Sequence, residues 1–81
     1  MQARELKIDD IYVPVKRRAT RNQQTVEALA AAILEDGQKV PIQVRQDGNR
    51  LVLIEGLHRL EACRALGEDT ILGVLVRARL H

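Results

Sequence analysis

An apolar run that leads through a glycine directly into a helical pattern constrains this chain more than any other feature. The run is Leu51 to Ile54, Gly56 follows it, and Leu57–Leu66 has helical character until Gly67. A short, continuously apolar run suits a strand that is covered on both faces. A strand and a helix joined this closely belong to a layered domain, because each must bury its apolar side against a neighbouring element.

A second helix is predicted from Asn22 to Asp36. Its apolar residues recur at the spacing that lines one helix face, namely Val26, Leu29, Ala30, Ile33 and Leu34. Asn22 is a suitable N-cap, and Thr20 with Gln23 offers a competing capping box. Gly37 follows as the residue that tolerates a positive φ after a helix.

The remaining segments are predicted as strands and connections. Leu6–Val13 begins with alternating apolar and charged residues and is predicted to be a short strand that ends at Pro14. The basic stretch that follows, to Arg21, is predicted to be an extended loop. Val40–Arg45 alternates, and Ile71–Val76 is the last strand. A hairpin at 47–49 joins two of the strands. We therefore expect a single α+β (mixed α/β) domain over residues 1–81, with one small mixed sheet and two packed helices.

Composition limits the classes of function that are open to the chain. Its 81 residues are 46% hydrophobic with Tyr12 as the only aromatic residue, which predicts an aliphatic core. The lack of aromatic residues argues against a protein that binds single-stranded nucleic acid by stacking bases on aromatic side chains. Cys63 is the only cysteine, and His58 and His81 are too far apart for a recognisable metal site, so no metal is expected. No signal sequence and no run long enough to span a membrane is visible, so a cytoplasmic location is expected.

Charge is distributed unevenly although the net charge is only +2. One basic cluster consists of Lys16, Arg17, Arg18 and Arg21, and a smaller pair near the C-terminus consists of Arg77 and Arg79. Such clusters can contact phosphates, although on small proteins they are often simply solvated.

The sequence Gly56-Leu57-His58-Arg59 has the chemistry of a phosphate site. A helix that starts directly after a strand and a glycine exposes free backbone N–H groups, and the helix macrodipole adds partial positive charge there. Gly56 would let an anion approach the backbone closely. His58 and Arg59 add hydrogen-bond donors in the first turn.

Three segments of the chain, in order, resemble one known family. The segment 53–62, Leu-Ile-Glu-Gly-Leu-His-Arg-Leu-Glu-Ala, is similar to the Gly-x-[His/Arg]-Arg-x-x-Ala box of ParB N-terminal domains and sulfiredoxins. The helix 26–36 and the pattern Gly37, Pro41, Ile42, Val44 resemble the family's preceding segments, and 66–71 its link into the last strand. The chain thus resembles a stand-alone ParB/sulfiredoxin-type domain.

The resemblance implies a nucleotide ligand and the residues that hold it. In the family the box lies against nucleotide phosphates, of CTP in partition proteins and of ATP in sulfiredoxins. We therefore expect CTP or ATP as the ligand, with or without Mg²⁺. Carried over, this implicates Gly56, His58 and Arg59, and a basic residue of the preceding loop, either Arg17 or Arg18.

Departures from the family pattern leave several functions open. Leu57 stands where sulfiredoxins have their catalytic cysteine, which argues against sulfinic-acid repair. We expect no helix-turn-helix DNA reader within these 81 residues, because such a reader needs a further pair of helices. Three hypotheses remain. The first is a nucleotide-binding module of partition-like or regulatory type, acting as a homodimer or with a partner protein, and the second is an accessory protein on the DNA backbone. The third is an ATP-dependent phosphotransferase with Glu55 as base; the other nearby carboxylate, Glu61, could equally pair with Arg64 or Arg59.

Overall fold

The computed structural model describes residues 2–77, and in this range the chain forms five strands and three helices. Their bounds, in chain order, are β1 Arg4–Lys7, β2 Ile11–Tyr12, α1 Val15–Arg18, α2 Gln23–Asp36, β3 Ile42–Asp47, β4 Arg50–Glu55, α3 Leu57–Ala65 and β5 Thr70–Leu75. A 3-10 turn at Ile8–Asp10 separates β1 from β2. Arg79 and His81 lie outside the described residues. No helix within residues 2–77 has the length and apolar character needed to cross a membrane.

The strands form one mixed sheet in the order β1-β5-β3-β4-β2. The pairs β1/β5 and β3/β4 are antiparallel, whereas β3/β5 and β2/β4 are parallel. The expected α+β class with a small mixed sheet is confirmed, with one short helix more than the two that were predicted.

The prediction of one strand over Leu6–Val13 was wrong, because this segment supplies both edges of the sheet. β1 pairs with β5 at one edge and β2 pairs with β4 at the other. Ile8 and Ile11 are both buried, and their spacing of three suits the 3-10 turn between the strands. The backbone N–H of Ile8 donates to the Asp69 carbonyl oxygen at 3.0 Å, which holds the start of the 3-10 turn against the segment that precedes β5.

The prediction of an extended basic loop was also wrong, because Val15–Arg18 is helical. Pro14 precedes the first helical residue, and its carbonyl oxygen accepts hydrogen bonds from the N–H groups of Arg17 at 2.9 Å and Arg18 at 3.2 Å. A helix of four residues is too short to show apolar periodicity, and for that reason it could not be predicted from the sequence.

The predicted helix α2 is confirmed, including both of its ends. The Asn22 side-chain oxygen accepts from the Thr25 N–H at 3.1 Å, so Asn22 is the N-cap; at the other end Gly37 has a φ of 78°. The predicted apolar face is only partly buried, however. Val26 is 2% exposed, but Leu34 is 76% exposed, because α2 packs mainly on α3 and leaves its far side open.

The core lies between the sheet and α3. Its main members are Leu6, Ile8, Ile11, Val13, Ile42, Val44, Leu53, Leu57, Leu60, Cys63 and Ile71. The prediction that the apolar run is covered on both faces is confirmed, since Val52 and Leu53 point to opposite faces and are both buried. β3 begins at Ile42 rather than at Val40, which is half-exposed.

Candidate functional site

A cleft of about 470 Å³ opens where β4 ends and α3 begins. The segment that joins α1 to α2 and the first turns of α2 form its other wall. Nine residues line it, namely Arg17, Thr20, Thr25, Leu29, Glu55, Gly56, Leu57, His58 and Arg59. The cleft thus brings together Glu55, Gly56, His58, Arg59 and Arg17, all of which the sequence singled out, but it does not include Arg18.

Gly56 is required by the fold at the entry to α3. Its φ is 112°, a conformation that side-chain-bearing residues rarely adopt. A Cβ at this position would lie 2.5 Å from Cγ2 of Ile42 and 2.9 Å from its Cβ. The physical reason for glycine here is therefore close packing against β3, in addition to the approach of an anion that was expected from the sequence.

The first turn of α3 offers backbone donors to the cleft. The Gly56 carbonyl oxygen accepts from the Leu60 N–H at 2.9 Å, which closes the first turn, and no side chain caps this end of the helix. The N–H groups of residues 57–59 precede the first intrahelical bond and have no acceptor within the helix. Together with the macrodipole, they make this end of α3 electropositive.

His58 is fixed by a hydrogen bond to the start of α2. Its Nε2 accepts from the backbone N–H of Asn22 at 3.0 Å. A ring nitrogen that accepts a hydrogen bond carries no proton, so the ring proton of His58 is on Nδ1. The half-buried His58 side chain therefore keeps one N–H donor available.

Arg59 is a half-buried cation for which no carboxylate of residues 2–77 lies within ion-pair distance. It lines the cleft and also a neighbouring groove of about 220 Å³ along the second half of α2. A positive side chain in the first turn of a helix is unfavourable by about 0.3–1 kcal/mol. The fold thus keeps a cation where the helix itself disfavours it.

Arg17 is the residue of the basic cluster that reaches the cleft. Its Nη2 lies 3.9 Å from Oε1 of Glu55, and the two side chains are 42% and 64% exposed. A contact this long and exposed contributes little to stability, so either partner can turn toward a ligand. Arg18 instead donates from Nε to the Val13 carbonyl oxygen at 3.1 Å and points away.

The other cations of the cluster differ in their partners. Arg21 Nε lies 3.5 Å from Oε1 of Glu61. Glu61 thus pairs with neither Arg64 nor Arg59, the two partners considered for it from the sequence, because the segment that precedes α2 lies against α3. Among residues 2–77, Lys16 is the member of the cluster that has neither an ion pair nor a side-chain hydrogen bond.

Three residues of the cleft were missed by the sequence analysis, namely Thr20, Thr25 and Leu29. Thr25 lies in the first turn of α2, and Thr20 donates from Oγ1 to the Arg17 carbonyl oxygen at 2.7 Å. No local pattern marks them, because they reach the cleft only through the packing of α2 on α3.

Leu57, at the position of the catalytic cysteine of sulfiredoxins, and Cys63, the cysteine of this chain, are both buried. Leu57 and Cys63 are 6% and 3% exposed. Burial, and secondarily the negative charge of Glu68, raises the pKa of the Cys63 thiol above its usual value. Within residues 2–77 no three metal-ligating side chains are grouped closely enough to hold an ion.

The mixed sheet with a cleft at the start of α3 defines a domain of the ParB/sulfiredoxin type. The model of the family described as the ParB N-terminal domain matches residues 1–80, and the chain belongs to that family. A probable chromosome-partitioning protein ParB from Campylobacter jejuni is 36% identical over 75 residues, which are 91% of this chain and 27% of that protein. The chain thus spans about a quarter of the length of this curated relative.

Several solved structures share the fold. Sulfiredoxin from Arabidopsis thaliana superimposes with a TM-score of 0.86 at 29% identity, covering 96% of this chain and 88% of the sulfiredoxin. The ParB of Caulobacter crescentus complexed with CTP-gamma-S has a TM-score of 0.83 at 24% identity, covering 98% of this chain and 46% of that one. A free serine kinase in complex with ADP reaches 0.81 at 15% identity, covering 94% and 31%. At their identities, the last two show a shared fold alone.

Proposed function

We propose that the cleft binds the phosphate groups of a nucleotide, CTP or ATP, in a partition-like or regulatory context. The observation that carries the proposal is the convergence of Arg59, His58 and Arg17 on the uncapped N-terminus of α3. A phosphate placed there would accept from backbone N–H groups and from guanidinium groups at once.

Electrostatics explains why a ligand would be favoured at this position. Without an anion, Arg59 adds to the positive potential of the helix end and has no carboxylate nearby among residues 2–77. An anion would turn this unfavourable charge into an attractive pair and would satisfy the first-turn donors. The cleft volume of about 470 Å³ falls in the range of small-molecule pockets, so it exceeds what a single phosphate needs.

Relatives of the same fold support a nucleotide rather than another anion. The Caulobacter ParB was solved with CTP-gamma-S and the free serine kinase with ADP. Mg²⁺ fits the residues that are present, because Glu55 brings one carboxylate to the cleft and Mg²⁺ in nucleotide sites is held by one or two carboxylates together with phosphate oxygens. When bound, the ion would neutralise phosphate charge.

A phosphotransferase activity is a second candidate, and the position of Glu55 favours it. The Glu55 side chain lines the cleft, is 64% exposed, and is held only loosely by Arg17. A general base must be free to approach the acceptor hydroxyl, and this carboxylate is. Loss of product formation in Glu55→Gln with unchanged nucleotide affinity would support this role, whereas full activity in the variant would refute it.

Two other readings have less support. We do not propose sulfinic-acid reduction, because Leu57 and Cys63 are buried and no thiolate reaches the cleft. Binding to the DNA backbone through the basic cluster has less support because Arg18 and Arg21 have partners within the protein.

Amide chemical-shift mapping with CTP and ATP, with and without Mg²⁺, tests the proposal at the level of single residues. We expect the largest changes at the N–H groups of residues 57–59, which would donate hydrogen bonds to the phosphate, and the loss of these changes in Arg59→Ala. Arg64→Ala is the matched control, since Arg64 lies on α3 but outside the cleft. Changes centred elsewhere, or an Arg59→Ala response equal to the wild type, would refute the proposed site.

A further inference from the structure

The segment between α1 and α2 is held against α3 at two points. The Asn22 N–H donates to His58 Nε2 at 3.0 Å, and Arg21 Nε lies 3.5 Å from Glu61 Oε1. Of these contacts, the one through His58 involves a side chain that also lines the cleft. His58 thus touches both the cleft and the segment that carries Thr20 and follows the helix that contains Arg17.

The segment behaves as one unit because it is bonded internally. The Arg17 carbonyl oxygen accepts from the Thr20 N–H at 3.1 Å and from its Oγ1 at 2.7 Å, and the Arg18 carbonyl oxygen accepts from the Arg21 N–H at 3.2 Å. Asn22 then caps α2. A contact that fixes Asn22 therefore also fixes the wall of the cleft.

We infer that His58 is a positioning residue whose two ring nitrogens have separate roles, an inference that rests on the proposed function. Nε2 holds the α1–α2 segment by accepting the Asn22 N–H, and Nδ1–H is the donor that remains for an anion in the cleft. An anion on Nδ1–H and the Asn22 bond require the same tautomer. Ligand binding and closure of the segment therefore stabilise each other, and the coupling is reciprocal.

Two isosteric substitutions separate the roles of the two nitrogens. The amide nitrogen of Asn occupies about the place of Nδ1, so His58→Asn keeps a donor for the cleft but loses the acceptor for Asn22. The amide oxygen of Gln occupies about the place of Nε2, so His58→Gln keeps the acceptor but loses the donor. Arg64→Ala on the exposed side of α3 is the control.

Hydrogen exchange of the Asn22 amide in ligand-free protein is the first readout, and it does not depend on the proposed function. We expect exchange of the Asn22 amide in His58→Asn to be faster by about two- to tenfold, which is the change in an equilibrium constant that the loss of one hydrogen bond produces. We expect wild-type rates in His58→Gln and Arg64→Ala. Equal rates in His58→Asn and His58→Gln would overturn the inference. So would a nitrogen spectrum with the His58 ring proton on Nε2.

Coupling to the ligand is the second readout, with CTP and ATP as the probes. With the nucleotide at one hundred times its dissociation constant, we expect exchange of the Asn22 amide in the wild type to slow by about a hundredfold, provided that protein in which the α1–α2 segment has opened does not bind the nucleotide. In His58→Asn we expect the exchange to slow far less. An unchanged Asn22 rate in wild type with nucleotide bound would overturn the coupling. Failure of both nucleotides to bind any variant would refute the proposed function, while the ligand-free exchange rates would still decide the role of Nε2.

Discussion

Substitution of Gly56 by alanine measures how strongly the turn between β4 and α3 is imposed by packing. Two costs add in Gly56→Ala. A side chain at a φ of 112° costs about 1–2 kcal/mol. A methyl group placed 2.5 Å from Ile42 Cγ2 and 2.9 Å from its Cβ must displace a core residue, which costs about 1–3 kcal/mol more. We expect a loss of about 2–5 kcal/mol in the free energy of unfolding.

Urea denaturation followed by circular dichroism checks this value, with the midpoint as the readout at constant slope. Gly67→Ala is the matched control, because Gly67 has a φ of 77° but no atom lies within 4 Å of its added Cβ. The control isolates the backbone cost of about 1–2 kcal/mol. If the two variants lost the same stability, the contact with Ile42 would not be what requires glycine at position 56.

Three further predictions concern stability and reactivity. Arg59→Ala should leave the thermal midpoint unchanged or slightly higher, since it removes a cation from a helix N-terminus; a large drop would mean that Arg59 serves the fold. Gln38→Ala should lower the free energy of unfolding by about 1–3 kcal/mol in urea denaturation, because Gln38 pairs with both the N–H and the carbonyl oxygen of Leu72 at 2.8 and 2.9 Å. An effect no larger than that of Gln46→Ala would contradict this. Cys63 should resist alkylation at neutral pH. Because burial raises the pKa of its thiol in the folded state, the contribution of Cys63 to the free energy of unfolding should be lost as the pH rises above about 9. Denaturation at several pH values checks this.

The elements that the sequence predicted well are those specified by neighbouring residues. α2 has its cap, its periodicity and its terminal glycine within sixteen positions, from Asn22 to Gly37. The β3–β4 hairpin and the turn at Gly56 are equally local. In contrast, β1 and β2 lie at opposite edges because of partners more than 35 residues away along the chain, and no local pattern contains that information.

The same distinction holds for the candidate site. Gly56, His58 and Arg59 are adjacent in sequence and follow from one helix start, and so a pattern could indicate them. The choice of Arg17 over Arg18 depends on the direction of a four-residue helix, and the contact of His58 with Asn22 joins residues 36 positions apart. Leu34 was wrongly assigned to the buried face because the packing angle of α2 on α3 is not a property of α2 alone.

A thermal-shift titration with CTP, ATP, GTP and inorganic phosphate, with and without Mg²⁺, tests the proposed nucleotide site most directly. A ligand at one hundred times its dissociation constant adds about 2.7 kcal/mol to the free energy of unfolding, which corresponds to roughly ten degrees or more for a domain of this size. We predict a shift with CTP or ATP that is lost in Arg59→Ala and Arg17→Ala and retained in Lys16→Ala, a change in the same short helix outside the cleft. No shift with any of the four compounds, or an equal shift in all three variants, would contradict the account.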